Sequence, residues 1–122
     1  MPLRSGDFWD VGAVTIDDGH FGDYADFLAQ QYRKNMEFQK SKGWITDWYI
    51  LANNNKRAGE PDLYLVTVYD RVATPAEDLV REKEMNAFLQ STTRAQDAQS
   101  GERAKYRHVV GSRMLQELVW AK

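Results

Sequence analysis

The stretch Gly43–Asp70, GWITDWYILANNNKRAGEPDLYLVTVYD, decides how the chain folds, because it joins two strand patterns through a long polar loop. Ile45–Ala52 and Leu63–Tyr69 are rich in aromatic and branched residues, which favour extended structure. The loop Asn53–Asp62 is longer than the roughly two to five residues that close most hairpins. The stretch therefore predicts two adjacent antiparallel strands with a wide connection.

Two interpretations of the loop Asn53–Asp62 remain open from the sequence. Its Asn residues tolerate left-handed backbone, Gly59 supplies a free turn and Pro61 ends the loop before the next strand, as in a plain hairpin tip. Lys56 and Arg57 favour the other interpretation, in which the loop contacts a dimer partner or guards the mouth of a pocket.

The remaining elements follow outward from this hairpin. Trp9–Ile16 predicts a first strand, and Phe21 begins a long amphipathic helix that ends before Gly43, where a left-handed residue is expected. A capping box, Thr74-Pro-Ala-Glu77, predicts a second helix to about Gln90. Residues 92–113 predict one or two short helical pieces broken near Gly101, and Met114–Trp120 predicts the last strand.

This order, βαββαβ, predicts an α+β fold of the ferredoxin-like type over one domain, residues 1–122. The four strands should form an antiparallel sheet in the order 4-1-3-2, with the first and third strands in the middle. VGAVTI and LYLVTV are continuous apolar runs, as expected of central strands. The outer strands carry Asp47, Gln116 and Glu117, which suit sheet edges.

One face of this sheet is expected to be too apolar for water and too polar for an ordinary core. Alternation along the strands groups large aromatic side chains with Thr and Gln on that outer face. Such a patch indicates an interface or a ligand site, and either dimer packing or binding of a planar aromatic molecule accounts for it. The predicted ligand-binding residues are Trp9, Trp48, Thr67, Tyr69, Gln116 and Trp120.

Composition excludes several classes of function. The net charge is -2 with both signs mixed, which argues against a nucleic-acid footprint. The chain has no Cys, so disulfides and thiolate sites are excluded, and no apolar run is long enough to span a membrane. No cofactor motif is present. We expect a cytoplasmic protein; a periplasmic location stays open if the chain is a processed form.

The two histidines are the only imidazoles available for catalysis or metal binding. His20 is close in sequence to Asp18 and Asp23, so local hydrogen bonding or helix capping explains it more simply than a metal site. His108, in KYRHVV, is a candidate general base or a solvated surface residue. His108, together with Tyr69 of the outer sheet face, is a candidate catalytic residue. No metal site is predicted.

The sequence resembles the dimeric α+β barrel superfamily over about Phe8–Trp120. The resemblance rests on the βαββαβ order, the helix FGDYADFLAQQYRKNMEFQKSKGW and the apolar outer sheet face. More closely, the chain is similar to small uncharacterised bacterial members, in which GW follows the first helix and a segment like AGEPDLYLVTVY forms the third strand. The resemblance implies a homodimer in which two sheets pack face to face.

The resemblance implies more than one kind of function. Members include cofactor-free quinone-forming monooxygenases, haem-degrading enzymes and stress-induced proteins. The haem degraders use a His on the second helix as iron ligand, and here that helix has Asn86 but no His, so a haem role is not carried over. We expect a homodimer that binds a small aromatic or apolar molecule, with cofactor-independent monooxygenase-like or isomerase-like chemistry. The alternatives are a non-enzymatic stress-type or scavenging protein, or a dimer without a pocket.

Overall fold

The computed structural model describes all residues, 1–122, and the chain forms two compact units. The sheet unit comprises Met1–Thr15, Gln39–Arg71 and Val109–Lys122. The helical unit comprises Ile16–Phe38 and Val72–His108. One four-stranded antiparallel sheet and three helices make up the chain, which is therefore α+β and compatible with the ferredoxin-like arrangement.

The sheet contains β1 (Leu3–Ile16), β2 (Asp47–Ala52), β3 (Leu63–Tyr69) and β4 (Arg107–Trp120). Its order is β2-β3-β1-β4, and the predicted order 4-1-3-2 names the same neighbours from the opposite edge. β3 is central, pairing antiparallel with β1 on one side and β2 on the other.

β1 and β4 are both longer than the sequence predicted, since β1 begins at Leu3 and β4 at Arg107. Backbone hydrogen bonds join the residues that flank β1 to those that flank β4, at both ends of the strand pair. The Asp17 N–H donates to the Tyr106 carbonyl at 2.8 Å, and the Ala121 N–H donates to a carbonyl near the N-terminus, also at 2.8 Å. These extra residues lack the apolar run that identified the strand centres, so backbone pairing and not side-chain pattern explains their extended structure.

The long first helix is present and has three stretches: α1 (Phe21–Phe27), a π-helical turn (Leu28–Tyr32) and α2 (Arg33–Ser41). The sequence pattern did not predict the π-helical turn. Gly43 follows the helix with φ +72°, which confirms its predicted left-handed conformation.

α3 (Pro75–Leu89) begins with the predicted capping box. The Thr74 hydroxyl accepts from the Glu77 N–H at 3.2 Å, and the Glu77 carboxylate accepts from the Thr74 N–H at 3.0 Å. α4 (Thr93–Arg103) corrects the prediction of pieces broken near Gly101, because it runs through that glycine. A glycine in a helix interior costs about 1 kcal/mol relative to Ala, which is too little to end a helix on its own.

Each unit contains its own small group of buried apolar side chains. In the sheet unit they are Val14, Ile45, Leu63, Val66 and Val68. In the helical unit they are Tyr24, Leu28, Met36 and Met85. None of the helices combines the length and the apolar composition needed to cross a bilayer.

Candidate functional site

The strand register determines which side chains share a face of the sheet. In antiparallel pairs, residues directly opposite each other point to the same side. Trp9 is opposite Val68, and Val68 is in turn opposite Asp47 on β2. This side of the sheet is called the Trp9 face; it contains Trp9, Val11, Ala13, Asp47, Tyr49, Leu51, Tyr64, Val66 and Val68.

The other side of the sheet, the Trp48 face, contains three of the six predicted ligand-binding residues. Trp48 on β2 is directly opposite Thr67 on β3. Tyr69 lies two residues after Thr67 on β3 and therefore points to the same side. Tyr69 is opposite Phe8, and their rings stack with centroids 5.8 Å apart. The prediction that Trp9 shares a face with Trp48 is therefore wrong. A one-residue difference in register exchanges the two faces of a strand, and the long loop before β3 left that register open.

The other two predicted residues lie on β4. The Gln116 side-chain amide donates to the Gly6 carbonyl at 3.3 Å, so it contributes to the contact between β4 and β1. Trp120 is 77% exposed near the end of the strand. The six predicted residues therefore do not converge on one site within a single chain.

Trp9 is packed on its own face by an aromatic neighbour two strands away. Its ring stacks on Tyr49 with centroids 5.8 Å apart, across the buried side chains Val66 and Val68. The Trp9 Nε1–H is buried and has no hydrogen-bond acceptor. Buried donors in native proteins are nearly always satisfied, so this indole group lacks an acceptor that a ligand or partner can supply.

The start of β2 is fixed by the Asp47 carboxylate. It accepts from the Trp48 N–H at 2.9 Å and from the Tyr49 hydroxyl at 3.0 Å, and Lys40 Nζ lies 3.4 Å away. The Trp48 N–H, followed by the Tyr49 hydroxyl, holds the pKa of Asp47 below its ordinary value. The hydrogen bond from the Tyr49 hydroxyl to the Asp47 carboxylate raises the pKa of Tyr49.

A cavity of about 400 Å³, the sheet cavity, lies within the sheet unit. Val11, Ala13 and Tyr64 of the Trp9 face contribute to its wall, and β4 adds Val110 and Leu115. Its polar side chains are limited to the Tyr64 hydroxyl, Ser112 and Arg113, and the loop adds Gly59 and Pro61. A mostly apolar wall with a few polar groups is typical of small-molecule sites.

The cations of the loop Asn53–Asp62 are held within the loop. Lys56 Nζ lies 2.8 Å from the Asp62 carboxylate, and the Arg57 guanidinium lies 3.0 Å from Glu60. The Arg57 side chain and N–H lower the pKa of Glu60. Because both cations pair with carboxylates of the same loop, the structure favours the hairpin-tip interpretation over the pocket guard.

The two histidines pair with different carboxylates. His20 Nδ1 lies 3.1 Å from Asp23, as the local explanation predicted, and its ring stacks on Tyr106. His108 Nε2 lies 3.0 Å from Asp17, with both side chains about half exposed. No cluster of three metal-ligating side chains is present.

Tyr69, the other candidate catalytic residue, has its pKa raised by burial and then by the nearby Asp10. Its phenol is therefore protonated at neutral pH and can donate a hydrogen bond, but it is a poor base. Neither Tyr69 nor His108 contributes to the wall of the sheet cavity.

Sequence reasoning missed a second cavity, which lies within the helical unit and has a volume of about 320 Å³. One side of α4 contributes Gln96, Gln99 and Arg103 to its wall. The spacing of these residues, three and then four, places them on one helical face and is the signal that could have identified it. The apolar pattern of α4 is weak, so apolar periodicity alone does not predict that this helix lines a cavity.

Comparison of the chain with protein-family models, curated proteins and solved structures gives no match. The two cavities, the sheet faces and the exposed strand β4 are the features of the chain that bear on its function.

Proposed function

We propose that the chain works as a homodimer of the dimeric α+β barrel type and binds a small apolar or aromatic molecule in the sheet cavity. The two copies would meet through β4. The observation that carries the proposal is the apolar surface of β4. Twelve of its fourteen residues are exposed, including Leu115 at 53%.

A monomer that exposed this strand to water would be unusual. Contiguous exposed apolar side chains normally mark an interaction site, and a long unpaired edge strand invites association. The exposed apolar side chains of β4 are Val109, Val110, Met114, Leu115, Leu118 and Trp120. Burying such side chains removes about 25 cal/mol of unfavourable free energy per Å² of apolar surface.

The charges of β4 favour a second copy of the chain as the partner. Arg113 and Glu117 have opposite charge and lie four residues apart, hence on the same side of the strand. In a twofold dimer each contact occurs twice, with the two surfaces exchanged. Two β4 strands that cross antiparallel about Leu115 therefore bring each arginine to the opposite strand's glutamate.

The sheet cavity supports the ligand part of the proposal. Its wall combines aliphatic side chains with the Tyr64 ring, so the ligand should be largely apolar, while the Tyr64 hydroxyl and Ser112 can orient one polar end. The volume of about 400 Å³ lies in the range of small-molecule pockets. The buried Trp9 Nε1–H, without an acceptor, adds one donor on the same face.

The experiment is native mass spectrometry of freshly purified protein, followed by identification of any small molecule released on denaturation. The wild type should appear as a dimer that carries an apolar molecule. Ala13→Met should fill the cavity and lose the molecule while the dimer persists, and Ala98→Met on the exposed side of α4 is the matched control. A dimer with no bound molecule would contradict the ligand part and favour a pocketless dimer.

The pair His108–Asp17 favours a second candidate function, cofactor-independent oxidation or isomerisation. A histidine held by a carboxylate 3.0 Å away is a common arrangement for a general base. Oxygen uptake with a dihydroxynaphthalene tests the oxidation: His108→Gln should stop it, while His20→Gln, which alters the other His–Asp pair, should not. Absence of uptake by the wild type would leave the binding function alone.

A further inference from the structure

The cavity of the helical unit differs from the sheet cavity in its charge. Lys34 and Arg103 contribute to its wall, and no Asp or Glu does. Lys34 Nζ lies 5.3 Å from the centre of the Phe88 ring, and Arg103 Cζ lies 3.7 Å from the centre of the Phe27 ring. Both cations therefore rest on aromatic faces, which attract them without neutralising their charge.

Arg103 is the residue that most needs an anionic partner. Its side chain is half-buried, its Nε–H is buried without an acceptor, and no carboxylate pairs with it. Burial, and next the charge of Arg107, lowers the pKa of Arg103. The Arg107 guanidinium is held by Ser100, at 3.2 Å from its hydroxyl and 3.4 Å from its carbonyl. Two neighbouring guanidinium groups without a carboxylate create a positive potential in this part of the unit.

The neutral part of the wall supplies hydrogen-bonding groups and ring surface. Gln96 and Gln99 extend from α4, and the π-helical turn brings Gln31 and Tyr32 to the same cavity. π-helical turns of this kind occur frequently at functional sites. Amide side chains can donate to an anion and can also accept from a hydroxyl or an N–H.

We propose that this cavity binds the carboxylate of a small planar aromatic molecule, with Arg103 as the residue that recognises it. A guanidinium matches a carboxylate through two parallel hydrogen bonds, and the ring of Tyr32 gives the aromatic body a surface to stack on. Because Arg103 has no carboxylate partner in the chain, turning its guanidinium toward a ligand breaks no ion pair. This site lies wholly within the helical unit and does not depend on the proposed function of the sheet unit.

The experiment is an NMR titration of the full-length wild type with benzoate, with benzamide and cyclohexanecarboxylate as comparison ligands. Benzoate should shift the guanidinium signals of Arg103 and the side-chain amide signals of Gln96 and Gln99. Benzamide, which has the ring without the charge, should bind at least tenfold more weakly, and cyclohexanecarboxylate, which lacks the planar ring, should fall between the two. Equal binding of benzoate and benzamide would overturn the role of the charge.

Variants then assign the recognition to Arg103. Arg103→Gln should weaken benzoate binding about ten- to hundredfold, and Arg103→Lys should recover only part of it, since Lys cannot make the two parallel hydrogen bonds. Arg94→Gln is the matched control, because Arg94 lies on the same helix outside the cavity wall, and its affinity should equal that of the wild type. If benzoate causes no shifts in the folded wild type at millimolar concentration, or shifts only sheet-unit signals, the proposal is wrong.

Discussion

The two edge strands of the sheet, β2 and β4, differ in length and in how many of their residues are exposed. β2 has only six residues, and at its start the Asp47 carboxylate accepts hydrogen bonds from the Trp48 N–H and the Tyr49 hydroxyl. β4 has fourteen residues, and twelve of them are exposed. Short edges with inward-held charges resist association, whereas long apolar edges invite it. The greater length of the exposed surface on β4 is the reason we propose that this edge, and not β2, meets a second chain.

A charge placed in the apolar surface of β4 should have the largest effect. In Leu115→Glu, the carboxylate would have to be desolvated where the two β4 strands cross, so the dimer should weaken by more than about a hundredfold. Sedimentation equilibrium over a range of concentrations measures this change. The matched control is Leu79→Glu on α3, since Leu79 is similarly exposed at 64% but lies outside β4. Equal weakening in both variants would contradict a specific role for β4.

Charge reversal on β4 tests the proposed crossing of the two strands. Arg113→Glu or Glu117→Arg alone would place like charges together twice per dimer, so each should weaken association about tenfold. The double variant restores opposite charges and should return the affinity to within about threefold of the wild type. Dimer dissociation constants from fluorescence dilution give the comparison. Additive weakening in the double variant would show that the two residues do not meet.

A methyl group at Gly6 should loosen β4 from β1 without touching the exposed surface. A Cβ atom at Gly6 would lie 3.1 Å from the Glu117 carbonyl oxygen and 3.1 Å from Val119 Cγ1, which is tighter than ordinary contact. Gly6→Ala should therefore lower the free energy of unfolding by about 1 kcal/mol. Gly12→Ala is the control, because its nearest atom, the Leu65 carbonyl oxygen, is 3.7 Å away. Urea unfolding should find Gly12→Ala neutral or slightly stabilising; a loss equal to that of Gly6→Ala would remove the steric explanation.

The smallest effect is expected at the other edge, where Asp47 gives β2 a pH dependence. The folded state lowers the pKa of Asp47, chiefly through the Trp48 N–H, so this carboxylate contributes to stability above its unfolded pKa. The contribution is lost as the pH falls below about 4, through the lowered folded value. Asp47→Asn should therefore be less stable than the wild type at pH 7, and the two should converge at acidic pH once the Asp47 carboxyl is protonated in both states. Thermal unfolding across this range measures it, and a difference that does not change with pH would contradict the assignment.

The sequence predicted those parts of the fold that local rules determine. The capping box at Thr74 and the left-handed Gly43 depend on neighbouring residues alone, and both are present. The apolar runs that marked β1 and β3 as central reflect burial, which the structure confirms for Val14 and Val66. Local patterns of this kind depend on a few adjacent residues, so they can be recognised in a single chain.

Features that depend on distant pairing were beyond the sequence. Which face Trp9 shares with its neighbours depends on register, and no residue of the loop before β3 fixes it. The extra length of β1 and β4 comes from their pairing with each other and not from apolar alternation. The cavity around Arg103 forms only where the π-helical turn and α4 come together, and the sequence of neither segment alone predicts it.

Sedimentation velocity of the wild-type chain at micromolar concentration shows whether two copies associate in solution. One chain has a mass of 14.1 kDa, so the proposed homodimer should sediment as a single species of twice 14.1 kDa, stable to dilution across the micromolar range. A clean species of 14.1 kDa throughout that range would contradict the account, because the exposed surface of β4 would then meet water and not a second chain.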